Sequence, residues 1–221
     1  MTPNVIHFIW FTTPTSRPFG RVNELAVKAA KRVQNPDQII VHCNQEPVGN
    51  PHWDAVRDLV TVVHRKPVED YHGIKVSHVQ YQADIARLQI LYEQGGIYLD
   101  TDMVLLKPVD EFLDGTLTFA KENWDAIGNA AMMVEKGNPF MARWLEHLPE
   151  ALGSQIWAYH AVLLPDELLA EDPTGARVLA QDTFFPFDLK RNYLFDSHPV
   201  MIDAAMLRIK NSYGIHMAET Y

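Results

Sequence analysis

Between Tyr81 and Asp102 the chain reads YQADIARLQILYEQGGIYLDTD, and no other run limits the possible folds as strongly. Ile85, Leu88, Leu91 and Tyr92 recur at helical spacing, so residues 81–94 are expected to form a helix with one apolar stripe. Gly95-Gly96 supplies the left-handed residue that ends such a helix. Ile97 to Leu99 is then a short apolar strand that runs straight into Asp100-Thr101-Asp102. Two carboxylates therefore sit at the carboxyl end of a strand, where open α/β sheets hold their ligands.

The amino-terminal part supplies neighbours for that strand. Val5 to Trp10 (VIHFIW) is rich in β-branched and aromatic residues and gives way to a Thr/Pro/Ser/Gly loop. From Arg21 to Gln34, Val22, Leu25, Ala26, Ala29 and Val33 keep helical spacing opposite Lys28, Lys31 and Arg32, until Asn35-Pro36 stops the run. Gln38 to His42 and Leu59 to Val63 are short apolar strands. This alternation predicts an α/β fold with a mostly parallel central sheet flanked by helices. No repeat or linker interrupts the chain, and 221 residues suit one core, so residues 1–221 are expected to form a single domain.

Charge and composition narrow the partners. Nineteen Lys and Arg against 28 Asp and Glu leave a net charge of −9, the wrong sign for a protein held by phosphate backbones. Cys43 is the single cysteine, which excludes an internal disulfide and a multi-cysteine zinc site and fits a reducing compartment. No apolar run approaches the roughly 18 residues a membrane helix needs, so no membrane-spanning segment is expected and the chain reads as cytoplasmic.

On a strand, residues i and i+2 face the same side, so Asp100 and Asp102 converge on one ligand if the strand persists that far. Two carboxylates that close repel each other unless a cation lies between them. Hard oxygen ligands with no cysteine set point to magnesium or manganese rather than zinc. Asp84 and Arg87 lie three apart on the helix, on one face. Such a pair is usually a surface contact worth under about 1 kcal/mol, so alone it carries no function.

In combination, ADIARLQILYEQGGIYLDTDM (residues 83–103) resembles the core of the DXD-containing sugar-transferase family, which includes yeast mannosyltransferases and capsular polysaccharide glycosyltransferases and, more distantly, the glucosyltransferase domains of large clostridial toxins. IHFIW at Ile6 to Trp10 resembles the family's first strand, Asn35-Pro36 its Asn-Pro after the first helix, and KPVDEF at Lys107 to Phe112 the segment after the metal motif. Asn129 resembles its Asn before a small-residue strand, and DPTGARVL at Asp172 to Leu179 its Thr-Gly-Pro helix start, with Ala176 in place of Pro. At the carboxyl end, GIHMAETY keeps His216 but lacks the family's following Trp and Ser-Trp.

The resemblance implies a nucleotide-diphospho-sugar transferase fold of the GT-A type and a metal-dependent, retaining glycosyltransferase. It implies Asp102 as a direct ligand of Mn2+ or Mg2+, Asp100 bridging metal, ribose and sugar, and His216 as a third ligand. Asp84 and Arg87 would hold the donor sugar, Trp10 would cover the base, Tyr98 would join the donor-binding residues, and Asn129 would lie near the sugar. On this resemblance the donor would be a nucleotide-diphosphate sugar, UDP favoured over GDP, and the acceptor a glycan, lipid, protein or modified nucleic acid. Eukaryotic relatives are usually tethered to membranes, so an untethered chain suits a bacterial or viral origin.

Blander readings stand beside these. Trp10 in an apolar strand also fits simple core packing, and His7, His42, His64, His72 and His78 show no ligand spacing. Phe140, Trp144 and Leu148 form a core stripe, whereas Trp124 is a candidate for the acceptor mouth. IYLDTDMV also fits the Asp-x-Asp strand of haloacid-dehalogenase-like phosphatases, but no downstream Asp-Asp or Gly-Asp-x-x-x-Asp completes that site. A catalytically inactive sugar-binding module is the other alternative.

Overall fold

The apolar run VIHFIW forms β1 (Val5–Trp10), and its pleat divides the molecule: Ile6 and Phe8 enter one core, Ile9 the other. The structure, a computed structural model, describes residues 1–122, 126–154, 156–187 and 199–218. The first helix is shorter than its apolar periodicity suggests. It runs as α1 (Arg21–Ala29), loosens into a π-helical turn over Ala30–Gln34, and stops at Asn35, whose φ of 46° places it in the left-handed region. β2 (Gln38–Cys43), α2 (Pro51–Asp54) and β3 (Thr61–His64) follow, then a small antiparallel ribbon of β4 (Asp70–Tyr71) and β5 (Ile74–Lys75).

The constraining run folds as expected, with α3 (Val79–Gln94) starting two residues early and leading into β6 (Gly96–Leu99). Both glycines between them are required. A Cβ on Gly95 (φ 70°) would lie 2.7 Å from the Lys136 backbone nitrogen, and one on Gly96 (φ 113°) 2.7 Å from the Val5 carbonyl. β7 (Met103–Leu105), β8 (Leu117–Lys121), β9 (Ile127–Val134), α4 (Pro139–Gly153), α5 (Leu164–Glu171), β10 (Ala176–Leu179), α6 (Pro199–Ile209) and β11 (Gly214–His216) complete the order.

A seven-stranded sheet runs β10-β8-β9-β6-β1-β2-β3. Its pairs are parallel except where β9 joins β6 and β8, so the sheet is mostly parallel, as the alternation of elements predicts. One departure concerns residues 176–179, where the resemblance implies a helix start. They instead form β10, which pairs parallel with Leu117–Ala120, with Arg177 forked onto Asp114 and Thr118. An unpaired edge of β8 offers this segment a ladder that a helix would forgo. On one face α1 and α2 cover Ile6, Phe8, Ile39, Val41, Ile97 and Leu99. On the other, α3 and α4 bury Ile85, Leu88, Leu91, Phe140, Trp144 and Leu148, the last three as the stripe predicts. Cys43 is fully buried. No helix among the described residues is long and apolar enough to cross a membrane.

Candidate active site

β6 ends at Leu99, so Asp100 and Asp102 do not share a strand face as their spacing suggests. They converge through a turn instead. The Asp100 N–H donates to Ala130 O at 2.8 Å, and the Met103 N–H to Asp100 O at 2.9 Å, which folds residues 100–103 back on themselves. Buried Asn23 holds that turn from α1: its Oδ1 accepts from the Gly20 N–H at 2.7 Å while its Nδ2 donates to Thr101 O at 3.0 Å.

Directly after the turn, β7 pairs antiparallel with β11, with Met103 opposite His216. His216 Nε2 thereby comes 3.2 Å from Asp102 Oδ1 and 3.7 Å from Asp100 Oδ2. One ligand atom from each of Asp100, Asp102 and His216 lies within 4.8 Å of the others, and Asp102 is buried. The two carboxylates suit a hard divalent ion such as magnesium or manganese and the imidazole nitrogen adds a third donor, so the residues present fit a divalent ion. Burial pushes the Asp100 carboxyl up, with Asp102 adding to the effect against Arg87, His216 and Tyr98. Burial works against a charge on His216, yet hydrogen bonding to Asp102 and the nearby Glu122 carboxylate raise its pKa to about 10. Glu122 Oε1 stands 3.7 Å from His216 Nδ1, longer than a hydrogen bond.

The Asp84–Arg87 pair is no surface contact. Arg87 is 4% exposed, and its Nη2 reaches Asp84 Oδ1 at 3.2 Å and Asp100 Oδ1 at 3.0 Å while its Nη1 donates to Asn129 O at 2.8 Å. The guanidinium also stacks 4.2 Å over the Tyr98 ring. Burial opposes its charge, but Tyr98, Asp100 and Asp84 hold its pKa above the ordinary arginine value. The Tyr98 hydroxyl donates to Asp100 Oδ1 at 2.6 Å, and Asn129 Nδ2 donates to Asp84 Oδ1 at 3.1 Å. Thus Asp84, Arg87, Tyr98, Asp100 and Asn129 form one network that adjoins Asp102 and His216.

Trp10 ends β1, the strand that runs parallel to β6 with His7 opposite Tyr98. Partly buried, it packs edge-on against Phe19 and lines an open cleft of about 180 Å³ with Thr12, Arg17, Gln45 and Asn50. His7 and His42 are core residues, with His7 Nδ1 and His42 Nε2 sharing a proton at 3.1 Å. Trp124 lies outside the described residues. Three contributors escape the sequence reading. His160, fully buried, places Nε2 3.1 Å from Asp84 Oδ2; Glu122 backs His216; Asn23 clamps the acidic turn. Each is distant in sequence from what it touches, and only Asn23, a polar residue on the apolar side of an amphipathic helix, left a signal.

Residues 22–119 match the family model described as a glycosyltransferase sugar-binding region containing a DXD motif. Glucan organizing enzyme 1 of Cryptococcus neoformans var. grubii is 30% identical over 202 residues, which cover 84% of this chain and 54% of that protein. The chain thus spans about half the length of this curated relative. Among solved structures, the glycosyltransferase GlyE of Streptococcus pneumoniae superposes with a TM-score of 0.60 at 12% identity, covering 99% of this chain and 55% of that one. The galactosyltransferase LgtC, in complex with donor and acceptor sugar analogues, superposes with a TM-score of 0.54 at 13% identity over 97% of this chain and 87% of its own. The fold is that of the GT-A glycosyltransferases. The acidic turn and the helix before it thus fall within the segment that is similar to the DXD-motif glycosyltransferase sugar-binding region.

Proposed function

We propose that residues 1–221 form a catalytic unit that transfers a sugar from a nucleoside-diphosphate sugar, UDP favoured over GDP, to an acceptor hydroxyl with retention of anomeric configuration. The observation that carries this reading is the buried Arg87, held between Asp84 and Asp100 beside the Asp100–Asp102–His216 group. Fixed, dry charges of this kind stabilise developing charge far better than groups in water.

In the proposed complex Asp100, Asp102 and His216 hold Mn2+ or Mg2+. When bound, that ion spreads the negative charge that develops on the departing diphosphate. Asp84, oriented by Arg87, Asn129 and His160, accepts hydrogen bonds from donor-sugar hydroxyls, and Tyr98 fixes the Asp100 carboxylate. The open cleft beside Trp10 suits a flat base. The bond from the anomeric carbon to the diphosphate oxygen breaks, the acceptor oxygen bonds to that carbon on the same face, and the acceptor proton passes to the leaving diphosphate.

A phosphatase reading fits less well, because Arg87 and Tyr98 both hold Asp100 Oδ1, the carboxylate that would have to attack phosphorus. The fungal relative lends no support to a bacterial or viral origin. The test is calorimetry of UDP and GDP with and without manganese, followed by donor hydrolysis over a panel of nucleotide sugars. Manganese-assisted binding with release of free sugar is the expected result. Absence of such binding for every nucleoside diphosphate overturns the reading.

A further inference from the structure

His78, the N-cap of α3, and Tyr81, Asp84 and Arg87 follow one another at intervals of three, so each lies near the next in a row that winds around α3 from its exposed start to the buried fork at Asp100. A group of aromatic rings gathers at the outer end. Trp157 is 62% exposed, yet its indole is held in place, 5.1 Å from the Tyr81 ring and edge-on to His78 at 5.5 Å. Tyr81 in turn meets the His160 ring at 4.2 Å, and His160 bonds Asp84. Two ring contacts and one hydrogen bond therefore connect the exposed indole to the carboxylate assigned to the donor sugar.

The backbone that presents Trp157 is strained. Ala158 has φ 57°, a left-handed conformation costly for a residue with a Cβ, and its N–H donates to the Tyr81 hydroxyl at 3.0 Å. Strain held by a specific contact next to a ligand site is characteristic of functional segments. From these observations we propose that the face made by Trp157, Tyr81 and His78 binds the sugar ring of a carbohydrate acceptor. The inference rests on the transferase reading above and names its acceptor class.

The chemistry of the face selects that class. A pyranose offers one face of C–H groups, which packs on an indole, and a rim of hydroxyls that needs donors and acceptors. His78 supplies ring nitrogens for such a rim. The Tyr81 oxygen already accepts from Ala158, so its own hydrogen remains to donate. These three residues include no Lys or Arg to recognise a phosphate, and their polar edges suit an alkyl chain poorly.

Saturation-transfer NMR with octyl β-glucoside below its micellar concentration, together with methyl glycosides of glucose, galactose and mannose, tests the proposal on the full chain. The expected result is saturation of ring protons for at least one glycoside. Trp157→Ala should weaken that binding about tenfold, the scale of one stacked aromatic contact. Trp157→Phe should restore part of it, and the thermal midpoint of both variants should stay close to that of the parent. Saturation carried by the octyl chain alone, absence of ring saturation for every glycoside, or equal binding by Trp157→Ala overturns the proposal. Manganese-assisted UDP binding, measured separately on the parent chain, tells failure of this subsite from failure of the transferase reading.

Discussion

His216 Nε2 stands 3.2 Å from Asp102 Oδ1 because β11 lies antiparallel against β7, immediately after the acidic turn. The imidazole carries a proton there, with a pKa near 10, since Asp102 and Glu122 outweigh the burial that opposes its charge. A metal ligand must be neutral, so ion binding displaces that proton. Calorimetric titration of manganese at pH 7.5 in buffers of different ionisation enthalpy should show release of about one proton per ion. Identical heats in the two buffers, after correction for dilution, would refute this assignment of His216.

Asp102→Asn removes one hard oxygen charge from the group while conserving shape. Manganese-assisted UDP binding should disappear, and turnover should fall by about 10²-fold or more, the scale of losing one fixed electrostatic contact. Near-normal turnover with unchanged metal dependence would reject the role given to this carboxylate.

Arg87 satisfies three partners at once, Asp84, Asp100 and the Asn129 carbonyl, from a fully buried position. Arg87→Met leaves two carboxylates without their counter-charge and should cost about 3–5 kcal/mol in urea denaturation. Arg87→Lys keeps the charge but not the planar fork, so it should recover much of the stability and little of the activity. Full activity in the lysine variant would show that the fork is dispensable.

His7 and His42 are both neutral in the fold. Burial lowers His7 to about 4, and burial together with His7 and Arg65 lowers His42 to about 3. In the unfolded chain each returns to about 6.5, so below that pH the unfolded state binds protons that the folded state refuses. Stability present above pH 6.5 should be lost as the pH falls toward 4, by up to about 1.4 kcal/mol per pH unit for each histidine. Replacing both together, His7→Leu with His42→Leu, should flatten this slope. An unchanged slope in the double variant would place the acid sensitivity elsewhere.

Gly96→Ala would force a Cβ to within 2.7 Å of the Val5 carbonyl and 3.0 Å of His7 Nε2, at a φ of 113°. The expected loss is about 2–4 kcal/mol, because backbone rather than a flexible side chain must yield. A thermal midpoint equal to that of the parent would contradict the close packing of β6 on β1.

Elements whose apolar periodicity is strong were legible in the sequence. β1 matches Val5–Trp10 in full, and α3 with its glycine stop departs by two residues at its start, where His78 provides no side-chain cap. The π-helical turn at Ala30–Gln34 was not legible, since its spacing satisfies the helical pattern equally well. Residues 176–179 form a strand because β8 offers them a partner, a tertiary circumstance that local sequence does not encode. In the site, the acidic pair and the helix pair were readable from spacing, but the means of convergence was not: a turn clamped by Asn23, rather than a continuing strand, brings Asp100 and Asp102 together. His160 and Glu122 depend on contacts across long stretches of chain, and neither carries a local mark.

The pairing of β7 with β11 also sets a sequence of events during synthesis. A growing polypeptide still short of residue 214 already contains every strand of the seven-stranded sheet, yet it lacks the imidazole that completes the Asp100–Asp102 group. On the proposed ligand set, a product ended before residue 214 contains every strand of the scaffold but not the imidazole, and it should fail to bind UDP with manganese.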